Sequence, residues 1–271
     1  MAQVLVVTSG KGGVGKTTST AALGAALAKN GQSVVVVDFD VGLRNLDLVM
    51  GAERRVVFDL INVVQGDAKL QQALIRDKRA DNLFLLPASQ TRDKDALTEA
   101  GVKVVIDQLR DKFDWVICDS PAGIERGATL AMRFADMALV VTNPEVSSVR
   151  DSDRIIGILD SKTEKAERGE RMEKHLLLTR YDAARAARGE MLKTEDVLEI
   201  LSIPLLGIIP ESQDVLRASN MGSPVTLNSK TSVAARAYYD AAKRLRGETV
   251  VMSFPKEKRS FMGKLFGRRV A

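Results

Sequence analysis

The chain has 271 residues, 45% hydrophobic and 28% charged, proportions of a soluble globular protein that argue against wholesale disorder and against a collagen-like or mucin-like chain. One cysteine, Cys118, and one histidine, His175, exclude an internal disulfide, a Cys-based zinc or intrachain iron–sulfur site and a conventional His/Cys metal centre, and such cysteine usage fits a reducing compartment, the cytosol. The formal charge is +5, yet six basic residues and one acidic residue fall within 251–271, so the whole excess sits there and the first 250 residues balance, whereas a nucleic-acid-binding domain spreads positive charge over a folded face.

Residues 4–8 read as a strand; lacking a basic leading region, they do not read as a signal peptide. A glycine-rich loop and a helix over 16–29 follow, then four consecutive valines in a buried strand over 33–38. Further strands are predicted over 83–86, 115–118, 137–142, 176–179 and 205–209, and further helices over 98–110, 147–160, 194–201 and 232–245. Apolar strands separated by helices indicate an α/β fold with a mostly parallel sheet covered by helices on both faces, in which ligands bind at the carboxyl ends of strands. Residues 161–174 read as a solvated helix end and loop, and 247–256 as a linker. His175 opens an apolar strand, a structural position. No stretch approaches the roughly 20 apolar residues that span a bilayer, so any membrane contact is expected to be peripheral. The division is a folded domain over 1–250 and a linker with tail over 251–271.

Gly10-Lys11-Gly12-Gly13-Val14-Gly15-Lys16-Thr17 matches G-x-x-x-x-G-K-S/T in its required setting, after a strand and opening a helix. The glycines let backbone amides turn inward around phosphates, and the helix N-terminus adds its partial positive charge. Lys16 is placed to reach the β and γ phosphates, and the Thr17 hydroxyl to ligate magnesium. Lys11 is either a solvent-facing charge or a cation that neutralises transition-state charge. Asp38 and Asp40 follow the valine strand, and Asp119 follows the strand over 115–118. An apolar strand ending in Asp holds magnesium or its water shell, and a carboxylate near the γ-phosphate can orient the attacking water. Asp40 and Asp119 are the candidates.

The run from Lys11 through Lys16, Thr17 and Thr18 is similar to the deviant Walker A motif of the ParA/MinD ATPases, a P-loop NTPase family. Asp38-Phe39-Asp40 with the residues over 42–47 resembles their first switch, and Cys118-Asp119-Ser120-Pro121-Ala122-Gly123 their second. The segment over 143–154, with the C-terminal tail, looks closest to the septum-site-determining branch. The likeness covers essentially the whole chain. It implies ATP and Mg2+ as ligands, an ATP-driven homodimer in which Lys11 crosses to the partner's nucleotide, a water positioned by Asp40, and a magnesium site to which Asp119 contributes. It also implies recruitment of the division inhibitor MinC, hydrolysis stimulated by MinE, and cycling between cytoplasm and the inner face of the plasma membrane. Thr179-Arg180-Tyr181-Asp182 stands where related GTPases carry a guanine-reading motif, which adds Arg180 to the nucleotide-binding set. The resemblance places the MinC and MinE surface on the helix beginning near Ser147, with Ser148, Asp151 and Asp153 as candidates.

In the tail, Phe261, Met262, Leu265 and Phe266 cover an arc of about 140° on a helix, with Lys264 outside it and Lys258 and Arg259 flanking it. This reads as an amphipathic membrane-targeting helix with basic contacts to anionic inner-membrane lipid. Two other readings compete with a membrane-cycling ATPase: a ParA-like DNA-segregation ATPase, disfavoured by the charge-balanced body, and a small-molecule phosphotransferase, for which the chain shows no acceptor site.

Overall fold

The computed structural model describes residues 2–90, 96–228 and 232–253. The tail positions Phe261, Met262, Lys264, Leu265 and Phe266 lie outside the described residues. The strands are β1 (Gln3–Thr8), β2 (Val34–Asp38), β3 (Ile75–Arg76), β4 (Leu83–Leu86), β5 (Trp115–Asp119), β6 (Met137–Thr142), β7 (Glu173–Tyr181) and β8 (Leu205–Pro210). The helices are α1 (Lys16–Lys29), α2 (Leu46–Val49), α3 (Leu60–Gln65), α4 (Leu70–Ala73), α5 (Glu99–Arg110), α6 (Arg126–Arg133), α7 (Val146–Leu159), α8 (Glu164–Glu167), α9 (Ala183–Ala187), α10 (Thr194–Leu201), α11 (Gln213–Asn220), α12 (Val225–Asn228) and α13 (Val233–Leu245).

The strands form one sheet in the order β3-β4-β2-β5-β1-β6-β7-β8, parallel except for the short antiparallel edge β3. Their side chains alternate between two cores, as the pleat requires. Val4, Val6, Val35 and Val37 pack with Ile106 of α5, Leu130 of α6 and Ile155 of α7. Leu5, Val7, Val34 and Val36 pack with Leu23 of α1 and Tyr238 of α13 on the other face. Both faces of the central strands are therefore covered by apolar side chains, which is why the valine run of β2 carries no polar alternation. Each such side chain contributes roughly 1.5–3 kcal/mol by burial. All strands but β3 run the same way, so their carboxyl ends form one rim, and the loops after β1, β2, β5, β6, β7 and β8 meet there.

The long elements lie where the sequence places them, with Thr98 and Ser232 as side-chain N-caps of α5 and α13. The short elements between β2 and β4 were not foreseen, nor were α6, α9, α11 and α12. Helices of four to six residues are too brief to show a periodicity, although α3 carries a reciprocal capping box in which Asp59 and Asn62 satisfy each other's backbone amides. Residues 161–174, expected as a solvated loop, include α8 and the start of β7. His175 lies near the amino end of β7, away from the rim, beside Glu173 at 2.7 Å.

The linker reading of 247–256 needs correcting for its first part. Helix α13 ends in a turn at Gly247 (φ 81°), whose amide donates to the carbonyl of Arg244. The Arg244 guanidinium then holds the returning chain: Nε donates to the Val250 carbonyl at 3.0 Å, Nη2 to Val251 at 2.9 Å and Nη1 to Leu206 of β8 at 2.8 Å. The chain is pinned through Val251 by two charge-assisted bonds, and the third anchors the guanidinium to β8. Arg244→Met should keep the aliphatic packing, lower stability by about 1–3 kcal/mol and open residues 247–253 to limited proteolysis. Wild-type resistance to cleavage in that variant would show that the guanidinium holds nothing.

Candidate functional site

The glycine loop joins β1 to α1 at the rim. Gly13 and Gly15 have φ of 76° and 98°, which turns the loop back on itself, and Gly15 caps α1 without a side chain, leaving the first amides of the helix open. Gly10 is required for a different reason. A Cβ there would sit 2.2 Å from the backbone oxygen of Asp151 in α7, so no side chain fits between loop and helix. Gly12 faces open space.

Lys16 is 8% exposed, and its Nζ donates to Ser9 Oγ at 2.9 Å. Burial lowers its pKa, against the opposing charges of Asp119 and Asp40. Asp119 ends β5 in register with Asp38 of β2 and is also buried. Burial is the main cause that raises its pKa to about 6; hydrogen bonds from Thr17 and Thr20 and the charge of Lys16 pull the other way. Thr20 Oγ1 donates to Oδ1 at 3.1 Å, while Oδ2 is buried without a hydrogen-bond partner. That orphaned oxygen, close to the Thr17 hydroxyl, fits a divalent cation: an oxygen donor set, one carboxylate and one hydroxyl, with room left for phosphate and water.

Asp38 serves the loop that follows it. Its Oδ1 accepts from the amide of Asp40 at 2.8 Å and its Oδ2 from Leu46 at 3.2 Å, which folds 39–45 over the strand end. Burial, then the charge of Asp119, raises its pKa well above the ordinary value. Asp40 emerges half-buried from that loop toward Lys16. Lys11 takes another direction. Its Nζ donates to Glu145 Oε2 at 3.0 Å and Ser147 Oγ at 3.1 Å, at the start of α7. The structure thus gathers Lys16, Thr17, Asp40 and Asp119 and places Lys11 apart from them.

Beside the loop lies a cavity of about 370 Å3 lined by Val14, Gly15, Thr18 and Arg180, as the sequence suggests. Arg180 adopts φ 52°, a left-handed conformation uncommon for a residue with a side chain. The cavity is completed by the loop after β8, Pro210 to Gln213, and by Tyr238 of α13, which sequence reasoning missed. A proline directly after an apolar strand, at the rim, was the available signal for the loop; nothing local marks Tyr238.

Helix α7 shows its outward face at Val146, Ser147, Arg150, Asp153 and Arg154. Asp151 is half-buried. Ser148 is a correction: it is 1% exposed, on the stripe with Ser152 and Ile155 that packs inward, so it offers no surface to a partner.

A glycine loop opening a helix at the carboxyl rim of a parallel sheet, with a buried lysine and carboxylate converging on it, defines a P-loop nucleotide-binding protein. The profile of the CobQ/CobB/MinD/ParA nucleotide binding domain matches residues 5–225. Septum site-determining protein MinD of Escherichia coli (strain K12) is 61% identical over 270 residues, covering 98% of this chain and 100% of its own. Among solved structures, the MinC:MinD cell division protein complex of Aquifex aeolicus matches with a TM-score of 0.84 and 40% identity, over 93% of this chain and 99% of that one. The septum site-determining protein MinD complexed with Mg-ADP from Pyrococcus horikoshii matches with a TM-score of 0.80 and 31% identity, over 90% and 96%. The chain belongs to the CobQ/CobB/MinD/ParA nucleotide-binding family and, within it, to the septum site-determining MinD proteins.

Burying the Asp119 carboxylate costs stability. An unfolded Asp119 titrates near 3.8 and the folded one near about 6, so between those values the native state keeps a proton that the unfolded state has released. Stability should therefore fall as pH rises through that window and level off above it. Asp119→Asn, which still accepts from Thr20, should melt with the wild type near the bottom of the window and a few degrees higher at pH 7 without nucleotide, a gain on the order of 1–3 kcal/mol. Equal melting at pH 7 would remove the carboxylate from the stability balance.

Proposed function

We propose that the chain is a magnesium-dependent ATPase that forms a homodimer with ATP, binds anionic inner-membrane lipid through its C-terminal tail, recruits MinC and is switched off by MinE. The observation that carries this reading is the convergence of Lys16, Thr17 and Asp119 at one point of the rim, in a chain alike from end to end to MinD proteins. Lys16 binds the β and γ phosphates once they displace its resting contact with Ser9. Thr17 and Asp119 would hold the magnesium ion, which supplies charge neutralisation between the phosphates. Asp40 orients water for attack. The Mg-ADP complex of the Pyrococcus horikoshii relative supports the ligand, and the Aquifex aeolicus complex supports MinC as a partner.

Lys11 is held by α7 within the single chain. Its role at a second chain's nucleotide requires it to leave Glu145, a half-exposed ion pair that costs at most about 1 kcal/mol to break. Asp153, exposed on α7, and Asp151 beside it remain the contact candidates for MinC and MinE. The tail acts by number: one copy binds weakly, two in a dimer bind far better through effective concentration, and hydrolysis reverses the attachment. The charge balance of residues 1–250 favours this over a DNA-segregation ATPase, whose binding requires a basic face.

Lys16→Ala should leave the fold intact and weaken Mg-ATP binding by about a hundredfold or more in calorimetry, because the buried ammonium is the main positive charge at the phosphates. Retained affinity would end the phosphate-loop assignment.

Phe261→Glu with Leu265→Glu should abolish ATP-dependent co-sedimentation with anionic liposomes while leaving ATP-driven dimerisation unchanged in light scattering. Each change removes apolar burial of roughly 1.5–3 kcal/mol and sets a negative charge against the lipid. Salt should weaken the wild type only in part, since it screens the basic residues and not the apolar face. If the double variant melts far below the wild type in lipid-free buffer, the stripe is a core element instead.

A further inference from the structure

Two carbonyls of the glycine loop are held by side-chain hydroxyls from outside it. Ser9 Oγ donates to the carbonyl of Lys11 at 2.7 Å. Thr179 Oγ1, from the end of β7, donates to the carbonyl of Val14 at 2.7 Å and lies 3.1 Å from the carbonyl of Thr142 at the end of β6. In a trans peptide the C=O and the following N–H point in opposite directions. Holding the Val14 carbonyl toward β7 therefore sends the Gly15 amide the other way, toward the phosphate side of the loop. Turning this peptide changes ψ of Val14 and φ of Gly15, and Gly15, at φ 98°, has no Cβ to resist the turn, so a hydrogen bond from a side chain can decide its orientation.

The geometry points to Thr179 as a positioning residue that presets the Val14–Gly15 peptide for phosphate before nucleotide arrives. Its place suits the task. Thr179 is 3% exposed, it directly follows Leu178, the last residue of β7 paired on both sides, and the next residue, Arg180, is held in a left-handed conformation at the register shift before Tyr181. Val14 is buried as well, so its carbonyl cannot turn to water as a substitute. The loop thus has a fixed hydroxyl at each end. Ser9 also receives Lys16 and belongs to the phosphate chemistry, whereas Thr179 holds only backbone. Without the Thr179 hydroxyl the loop would divide its time between productive and flipped peptides, and affinity would fall by the fraction lost.

This rests on the phosphate-loop reading, and the test separates the two. The full chain is titrated with Mg-ADP by calorimetry, and with adenosine by NMR, for the wild type, Thr179→Val and Thr179→Ser. Thr179→Ala replaces the valine variant if that does not fold. Loss of the hydroxyl should raise the Mg-ADP Kd about three- to tenfold and leave adenosine binding unchanged, while the serine variant binds as the wild type. In the nucleotide-free protein the Gly15 amide resonance should broaden or double without the hydroxyl and stay single with serine. Wild-type Mg-ADP affinity in the hydroxyl-less variant overturns the proposal. So does an equal loss for adenosine, which would make Thr179 a contact of the base, or a serine variant as weak as valine. A wild type that fails to bind Mg-ADP would instead overturn the functional reading beneath it.

Discussion

Two buried carboxylates, Asp38 and Asp119, end neighbouring strands in the same register, and one buried ammonium, Lys16, feels the charges of Asp119 and Asp40. Charges removed from water at this density cost free energy unless each finds partners, and the arrangement meets that cost unevenly. Asp38 spends both oxygens on the backbone of the loop that follows it. Asp119 has one oxygen satisfied by Thr20 and one left over. Lys16 Nζ donates to the Ser9 hydroxyl. The rim is thus a set of interactions that, on the proposed reading, a polyanion and a divalent cation would complete together. The neighbouring loops take their shape from the same end: the first switch is tied to Asp38, and the amide of Gly123 in the second donates to the carbonyl of Ser9.

Much of this was legible in the sequence because it depends on local rules. The valine run, the glycine spacing and an aspartate ending each of two apolar strands mark β2, the loop and β5 directly. Thr98 and Ser232 announce their helices by capping. What was not legible depends on distance along the chain. Tyr238 reaches the cavity beside the glycine loop because α13 lies on α1, and Thr179 meets Val14 across 165 positions. Ser148 was misplaced because the resemblance points to a helix as a whole, while the face a helical residue shows is set by which stripe packs. Val149, Ser152 and Ile155 carry Ser148 inward with them.

The contact between Gly10 and Asp151 links the outer helix to the loop with no side chain between them. Helix α7 presents Asp153 and Arg154 to solvent on one side and touches the glycine loop with its backbone on the other. Its first turn meanwhile holds Lys11. A displacement of α7 by a fraction of an ångström would press on the loop at once, since close-packed backbone transmits strain rather than absorbing it.

Arg244 sets the length of the leash. Were the chain free from the end of α13, sixteen residues would separate Leu245 from Phe261, a reach of up to about 55 Å. With the carbonyl of Val251 held, only ten remain, at most about 35 Å. On the membrane reading proposed above, a surface gripped through Phe261 would have the folded body as a near neighbour rather than a distant float, and two bodies tied to it would share a shallow layer in which they meet far more often than in the volume above it.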